Sequence, residues 1–350
     1  MPYSEVHANH AINFIQQLKL TKGKWAGKPF VLLPWELDLV KRLFGTLRED
    51  GTRQYRTAYV EIGKKNGKAL AVDTPIPTPT GWSTMGELKP GDQVFDERGL
   101  PCRVIACSEV MQGRPCYRLS FSDGDSVVAD ADHLWQVGVY QPDKKPYVKN
   151  RVLPTKAMKH DVKHKNGCYN YRIPINKGLV LQDKLLPIPS YVLGVWLADG
   201  SSRGASITVN SNDLSIEKRI NKCGVVTREY NTKNKGSKCI ALGDGDRRQF
   251  KRDRSWQAKL RKLGLFCNKH IPGMYLRSSP SQRRELLKGL MDCDGHVSKA
   301  GECEYTSVNK RLAHDVLELV RSLGYKAREI NNFPDNQLSD TQGIGFVVTI

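Results

Sequence analysis

The amino-acid sequence predicts an α+β protein of several domains, in which an all-β part is preceded by a short N-terminal segment and followed by a pseudo-symmetric αββ-αββ part. Short β-rich pieces separated by Gly-Asp turns fill residues 69–175 and predict the all-β part. Two helix-like segments end in Asp199-Gly200 and Asp294-Gly295, 95 residues apart. Each is followed by strand-like sequence and another helix, so together they predict an internal repeat.

Charge is unevenly distributed along the 350 residues, whose net charge is +19. Residues 1–68 carry +6, residues 69–150 carry −3 and residues 151–350 carry +16. Because the neutralisation of phosphates needs clustered Lys and Arg, the last of these regions is predicted to meet a polyanion. The chain is therefore predicted to be composite.

Composition also excludes several classes of protein. No run approaches 18 apolar residues, which excludes a membrane-spanning helix. The first residues lack the basic and apolar regions of a signal peptide, so we expect a cytoplasmic protein. Nine cysteines without a C-x-x-C pair argue against both a zinc ribbon and a disulfide framework.

The N-terminal segment ends in an incomplete phosphate-binding loop. Residues 56–62 alternate as a strand does and lead into a run rich in Gly and Lys. In such a loop Gly67 and Lys68 would cradle phosphates, and the next residue would be a Ser or Thr that binds Mg²⁺. Ala69 has no hydroxyl, and the prolines that follow prevent a helix. The loop is therefore vestigial and should not bind nucleotide.

Residues 1–68 resemble the N-terminal part of the large terminase subunit of tailed phages. The resemblance rests on residues 20–30 and 33–36 and on a K-N-G-K run, which that family follows with Ser or Thr. It ends at Lys68 and so implies a host gene that is interrupted at a phosphate-binding codon. A working terminase ATPase is not expected from this chain.

From residue 69 onwards the sequence resembles the opening of an intein with the Hint fold. The motifs that carry this resemblance lie at residues 69–75, 85–92 and 126–135. The family implies an all-β, pseudo-symmetric horseshoe over residues 69–175.

The resemblance also assigns the chemistry of the N-terminal splice junction. Most inteins begin with Cys or Ser, but a smaller class, often called class 3, begins with Ala and carries a Trp two residues after the motif's His. Ala69, His133 and Trp135 match that class. His133 would polarise or protonate the Lys68–Ala69 amide, a general-acid role suited to imidazole. Asp130 stands where many inteins carry a helper Thr.

The C-terminal splicing motifs are absent from the sequence. Inteins end in His-Asn followed by Ser or Thr, and residues 343–350 contain no such end. The attacking Cys of class 3 is also missing, because Cys303 lies in a different predicted domain. Residues 336–350 would be the truncated start of a return to the splicing part. We therefore do not expect this chain to splice without a C-terminal intein partner chain.

Helix-start and helix-stop signals frame the two Asp-Gly segments. Ser190 precedes the first helix, and Ser279 opens an S-x-x-Q capping box with proline at the first position of the second helix. Gly200 and Gly295 are expected to end the helices in the left-handed conformation. Small residues four apart, Gly194 with Ala198 and Gly289 with Cys293, predict that the two helices pack backbone to backbone.

Packing of this kind would place Asp199 and Asp294 side by side at the helix C-termini. Both carboxylates oppose the helix dipole and repel each other, so the arrangement is costly without a cation. A divalent metal, for which Mg²⁺ is the candidate, would resolve both problems and activate water for attack on a phosphodiester. The predicted metal site consists of Asp199, Asp294 and the adjoining Gly200 and Gly295.

The repeat resembles the LAGLIDADG homing endonucleases, a family commonly nested in inteins. Two motif copies in one chain imply a monomer, an αββ-αββ saddle over residues 185–335 whose sheet lies in the major groove of double-stranded DNA. Lys269, in a Lys-His-Ile-Pro segment, matches a family lysine thought to assist catalysis and would stabilise developing charge. Arg203, Arg228 and the basic run 233–238 are the candidates for contacts with bases.

These features predict an intein-borne, Mg²⁺-dependent endonuclease that makes site-specific double-strand breaks, encoded within a terminase precursor. Its target would be the uninterrupted host gene at the phosphate-loop codons. Two alternatives stay open, a catalytically silent DNA-binding relic of a decayed intein and one half of a split intein that splices only with a partner chain.

Overall fold

A computed structural model describes residues 2–19, 27–32, 34–55, 70–141, 149–230, 236–243, 255–299, 301–331 and 346–349. The chain divides into two compact units, Met1–Asn66 and Gly67–Ile350. Gly67, Lys68, Ala69 and the strand predicted at residues 56–62 lie outside the described residues. Among the described helices, none has the length and apolar character needed to cross a membrane.

The first unit is built on two packed helices, α1 (Glu5–Gln17) and α2 (Pro34–Gly45). Ser4 caps α1 by accepting a hydrogen bond from the backbone N–H of His7 at 3.4 Å. Its small core joins one apolar residue from each helix to one from the connection between them: Ile12, Val40 and Leu32.

The second unit begins with a β-rich part, as the sequence predicts. Its strands pair as three hairpins (β1-β2, β3-β4 and β5-β6) and one sheet of order β8-β7-β9. Gly91 and Gly124, in two of the predicted turns, have φ angles of +100° and +90°, which only glycine adopts without strain. The elements are β1 (Pro75–Thr78), β2 (Gly81–Thr84), β3 (Gln93–Phe95), β4 (Pro101–Arg103), β5 (Cys116–Ser120), β6 (Ser126–Asp130), β7 (Leu134–Val139), β8 (Lys149–Pro154), α3 (Thr155–Met158) and β9 (Tyr171–Arg172).

The remainder of the unit contains the two predicted repeats. Antiparallel strands form one sheet of order β10-β12-β11 and another of order β13-β14-β16-β15. The elements are α4 (Ser190–Asp199), β10 (Ser206–Asn210), α5 (Ser215–Lys222), β11 (Val226–Tyr230), β12 (Ser237–Gly243), α6 (Trp256–Lys262), α7 (Gly273–Leu276), α8 (Pro280–Asp294), β13 (Gly295–Val297), β14 (Cys303–Ser307), α9 (Lys310–Ser322), β15 (Arg328–Asn331) and β16 (Phe346–Thr349).

Each repeat is longer than the predicted αββ unit. The second follows the order α8-β13-β14-α9-β15-β16, which is αββ twice. Strand β16, predicted to return to the splicing part, lies instead between β14 and β15. Without it the facing edges of β14 and β15 would leave unpaired backbone groups, so the sheet of the second repeat needs residues 346–349.

Helices α4 and α8 pack with their backbones in contact, as the small residues predict. A Cβ atom on Gly194 would overlap the carbonyl oxygen of Leu286, and one on Gly289 would overlap the carbonyl oxygen of Tyr191. Residues 190–197 of α4 are all buried, so the pair forms the centre of the core.

The start of α8 agrees with the prediction and the start of α4 does not. Ser279 accepts from the N–H of Gln282 at 3.3 Å, and the Gln282 side chain accepts from the Ser279 N–H at 3.4 Å. Pro189 rather than Ser190 occupies the cap position of α4. The hydroxyl of Ser190 is buried and has no hydrogen-bond partner within the described part of the chain. The Ser190 cap prediction is therefore wrong.

The glycines that end α4 and α8 serve a different purpose from the predicted one. Gly200 and Gly295 have φ angles of −75° and −87°, so both are extended and neither is left-handed. Their N–H groups still donate to the carbonyl oxygens of Trp196 and Met291, respectively. A Cβ atom on either glycine would overlap the carbonyl oxygen to which its own N–H donates. Glycine is needed because the chain turns from helix to an extended conformation beside the last helical turn, where Gly295 begins β13 and Gly200 forms a single bridge to Ile207.

A buried arginine joins the repeats to the β-rich part. Arg277, 3% exposed, donates to the carbonyl oxygens of Thr78 and Gly81, each at 2.9 Å. Its third contact is the carboxylate of Glu318 at 2.6 Å. The β1-β2 hairpin is thus bonded through its own backbone to the second repeat.

A second buried arginine holds the segment between the two parts. Arg283 is fully buried and donates to the carbonyl oxygen of Ser322 at 2.6 Å, to that of Ser278 at 3.0 Å and to that of Leu179. Burial lowers the pKa of Arg283 to about 10, helped by the nearby charges of Arg277 and Arg284. The connecting segment is therefore fixed to α8.

We predict that Gly289→Ala lowers the free energy of unfolding by about 3 kcal/mol, because the added methyl forces α4 and α8 apart. Chemical denaturation monitored by circular dichroism would measure this. Gly273→Ala is the control, since a Cβ there meets no atom within 4 Å, and its effect should stay below about 1 kcal/mol. Equal effects of the two variants would contradict the close packing.

We also predict that Arg277→Met speeds amide hydrogen exchange in residues 75–84 at least about tenfold, because two hairpin carbonyls lose a buried donor. Mass spectrometry of peptides would show the change. Lys326→Met is the matched control, since exposed Lys326 bonds Ser122 on the β5-β6 hairpin at 2.7 Å and its loss should leave exchange unchanged. Unchanged exchange in Arg277→Met would refute the anchoring role.

Candidate active sites

The two predicted acids lie where their helices end. Asp199 and Asp294 are the last residues of α4 and α8, and both are half-buried. Burial raises the pKa of Asp294 to about 6, and the charge of Asp199 adds to this while Lys269 opposes it. The structure therefore brings the two carboxylates close enough to repel each other.

Lys269 reaches the same place from the segment between α6 and α7. Its ammonium group donates to the carbonyl oxygen of Ala198 at 3.0 Å and lies 5.4 Å from the centre of the Trp196 ring. Burial lowers the pKa of Lys269, although the charges of Asp294 and Asp199 act in the opposite direction. The predicted lysine thus stands beside both acids.

Two residues that the sequence does not predict at this site complete the surroundings of the acids. Burial raises the pKa of the Cys293 thiol, and so do the charges of Asp199 and Asp294. Tyr305 is fully buried, pairs across strands with Gly295, and its hydroxyl has no hydrogen-bond partner by distance and angle among the described residues. The register of β13 with β14 places Tyr305 here, and no local sequence signal reveals it.

A divalent cation fits this donor set only with help from outside the protein. The described residues contain no group of three or more His, Cys, Asp or Glu side chains suited to a metal. Asp199 and Asp294 supply two carboxylates, and Gly200 and Gly295 have only backbone carbonyls to add. Mg²⁺ and Ca²⁺ need six or more oxygen ligands, so water and substrate phosphate would complete the coordination.

A third acid near the end of α8 is engaged elsewhere. The carboxylate of Asp292 accepts from the hydroxyl of Tyr191 at 2.8 Å and from the guanidinium of Arg219 at 2.6 Å. Arg219 also lies 4.2 Å from the centre of the Tyr191 ring. These contacts tie α5 to α4 and α8 and occupy Asp292.

The predicted splicing residues cluster at the end of β6. Asp130 is 2% exposed, and its carboxylate binds the guanidinium of Arg114 and accepts from the N–H of Asp132 at 2.8 Å. Leu70, the residue after Ala69, pairs antiparallel with Ala129. Asp130 therefore holds the turn that follows β6, beside the start of the β-rich part.

His133 and Trp135 are in contact. The centres of their rings lie 4.7 Å apart, and the indole N–H of Trp135 donates to the hydroxyl of Thr155 at 2.9 Å. The hydroxyl of Thr155 lies 3.3 Å from the carbonyl oxygen of His133, to which it donates. Trp135 thus supports the imidazole from one side, and Thr155 fixes both residues. Arg114 and Thr155 are the residues here that the sequence did not reveal.

Comparison with known proteins supports the coarse assignment of the second repeat. Residues 281–342 match the family model described as a LAGLIDADG-like domain. This range contains the end of α8 with Asp294 and the whole of α9.

Similar proteins were also found. A replicative DNA helicase DnaB of Mycobacterium intracellulare is 36% identical over 277 residues, covering 75% of this chain and 43% of the helicase. The Msm DnaB1 intein splicing domain bound with zinc is 55% identical over 20% of this chain and 54% of that chain, with a TM-score of 0.20. A variant of I-DmoI with its target DNA and manganese is 15% identical over 47% of this chain and 86% of that chain, with a TM-score of 0.31.

The family match agrees with the prediction of a LAGLIDADG-like domain in the second repeat, and the similar sequences include that of an intein splicing domain. They do not support the terminase resemblance of residues 1–68, because the curated relative is a DnaB helicase. A K-N-G-K run is typical of phosphate-binding loops, which many nucleotide-hydrolysing proteins share. It therefore does not identify the host protein. The chain spans less than half the length of that helicase.

We predict that Asp294→Asn stabilises the metal-free protein by about 2 kcal/mol at pH 7, since a folded-state pKa of about 6 exceeds the ordinary 3.8 and solvent partly screens the half-buried carboxyl. The contribution of the Asp294 carboxyl to the free energy of unfolding is fully present below pH 3.8 and is lost as the pH rises through 6. Denaturation in EDTA at pH 4 and 7 would measure it, with exposed Asp183→Asn as control. A difference independent of pH would contradict the strained acid pair.

Proposed function

We propose that this chain is an intein-borne, site-specific DNA endonuclease that hydrolyses phosphodiester bonds with a divalent metal, for which Mg²⁺ is the candidate. The carrying observation is the cluster of Asp199, Asp294 and Lys269 at the ends of two helices that touch through glycine. The family match over residues 281–342 supports the same activity.

Each member of the cluster has a defined task in this proposal. Asp199 and Asp294 would hold the metal, which supplies Lewis-acid stabilisation and a more acidic bound water. Ionised Asp294 is needed for this, so the site favours a pH above about 6. Lys269, positioned by Ala198, would stabilise the negative charge that develops on the phosphate.

Double-stranded DNA is the proposed partner. I-DmoI, described as a homing endonuclease, has been crystallised with its target DNA and with manganese. The net charge of +16 in residues 151–350 of this chain supplies the counter-charge that a DNA backbone needs. Because both acids come from one chain, we propose that the nuclease acts as a monomer.

For the β-rich part we propose the N-terminal half of a splicing domain. His133 would act on the Lys68–Ala69 amide, with Trp135 and the Asp130–Arg114 pair holding its turn in place. Ala69 offers no nucleophile of its own, so the attacking group would come from another residue. We propose a nucleotide-hydrolysing host, of which the DnaB relative is one example.

We predict that Asp199→Asn and Asp294→Asn each slow cleavage of DNA spanning the uninterrupted host junction by more than about 100-fold, because each removes a metal ligand. Single-turnover assays with Mg²⁺ and with Mn²⁺ would measure the rate. Asp292→Asn is the matched control, because its carboxylate sits two residues away on α8 but is paired with Tyr191 and Arg219. It should cut at close to the wild-type rate.

Two other outcomes have defined meanings. Undiminished cutting by both acid variants would refute the assignment of the site. Tight, specific DNA binding without cutting at any concentration of either metal would identify the chain as a catalytically silent relic.

A further inference from the structure

The segment that carries Lys269 is held by the first turns of α9. Residues 268–271 form neither helix nor strand, so their position depends on side-chain contacts. Three residues at the start of α9 supply them, and we call this group the α9 clasp: Asn309, Arg311 and Asp315.

The contacts of the clasp lie on both sides of Lys269. The side-chain amide of Asn309 donates to the carbonyl oxygen of Lys269 at 2.8 Å, and the carboxylate of Asp315 accepts from the N–H of Ile271 at 2.8 Å. Arg311 bonds the side chain of Asn268 more weakly, at 3.3 Å. Both strong bonds hold the backbone, so the direction in which the Lys269 side chain leaves it is fixed.

Burial makes these bonds matter. Ile271 is 2% exposed, so its N–H has no access to solvent if the Asp315 oxygen is removed. Burial raises the pKa of Asp315, and the charge of Glu318 adds a little to this. The hydrogen bond from Ile271 and the charges of Arg311 and His270 lower that pKa. The role of Asp315 is therefore that of an acceptor, which a neutral amide oxygen can also fill.

We propose that Asn309 and Asp315, which lie in the second repeat, are positioning residues for Lys269. This role rests on the proposed endonuclease function. They hold the backbone of a lysine that comes from the connection between the repeats. The ammonium group then reaches the end of α4 in the first repeat. The site is thereby assembled from three separate stretches of chain.

Asn309 also has a purely structural task, which the test must separate. It is the N-cap of α9, and its side-chain oxygen accepts from the N–H of Leu312 at 3.2 Å. Asn309→Ser keeps a cap oxygen but removes the amide that reaches Lys269. Asp315→Ala removes the acceptor of Ile271, whereas Asp315→Asn keeps one.

The first readout is the reactivity of Lys269 itself, which does not require nuclease activity. An amine-reactive reagent, quantified by peptide mass spectrometry on the full chain, should label Lys269 at least about threefold faster in Asn309→Ser and Asp315→Ala. Asp315→Asn should label as the wild type does. Equal labelling in all four proteins overturns the proposal, whether or not the chain cuts DNA.

Cleavage is the second readout. Asn309→Ser and Asp315→Ala should lower the single-turnover rate at least about tenfold while the Kd for DNA changes less than about threefold, and Asp315→Asn should restore the rate. In a Lys269→Met background neither variant should cause a further loss. A further loss in that background, or wild-type rates in both variants, would overturn the positioning role. If the wild type does not cut but labelling responds, the clasp stands and the endonuclease proposal fails.

Discussion

The approach of α4 to α8 is the constraint on which the rest of the repeat structure depends. Gly194 and Gly289 meet the opposing backbone so closely that no other residue fits at either position. With the helices locked at this distance, Asp199 and Asp294 have no freedom to separate. Burial, with a further contribution from the charge of Asp199, raises the pKa of Asp294, so packing in the core holds this carboxyl where its ionisation is costly.

That arrangement leaves the site deficient in positive charge. With both carboxyls ionised, Lys269 balances only one of them, and its own pKa is lowered because it is buried. Asp292 stays outside this balance, since Arg219 and Tyr191 engage it. A site that is net negative, partly buried and short of oxygen ligands is suited to a hard divalent cation. Phosphate oxygens would supply the ligands that the protein lacks.

The sequence predicted the features that follow from the spacing of residues near one another in the chain. It did not predict contacts between residues that lie far apart in the chain. The Ser279 capping box, the Gly91 and Gly124 turns and the α4–α8 seam follow from local spacing. The extended conformation of Gly200, by contrast, accompanies its bridge to Ile207 of β10. Arg277 meets Thr78 across 199 positions, and no pattern in either stretch announces the contact. The same limit hid Arg114, Tyr305 and the place of β16.

The buried arginines show how the repeats are attached to the β-rich part. Within the described part of the chain, the hydrogen-bond partners of Arg283 are carbonyl oxygens and the Ser322 hydroxyl, with no carboxylate among them. With a pKa of about 10 it is charged at neutral pH, so the fold bears the desolvation of a whole guanidinium. A loose linker would avoid that cost. Arg283 fixes the connecting segment at Leu179 and Arg277 fixes the β1-β2 hairpin, so hydrogen bonds to backbone carbonyls join the two parts at two places.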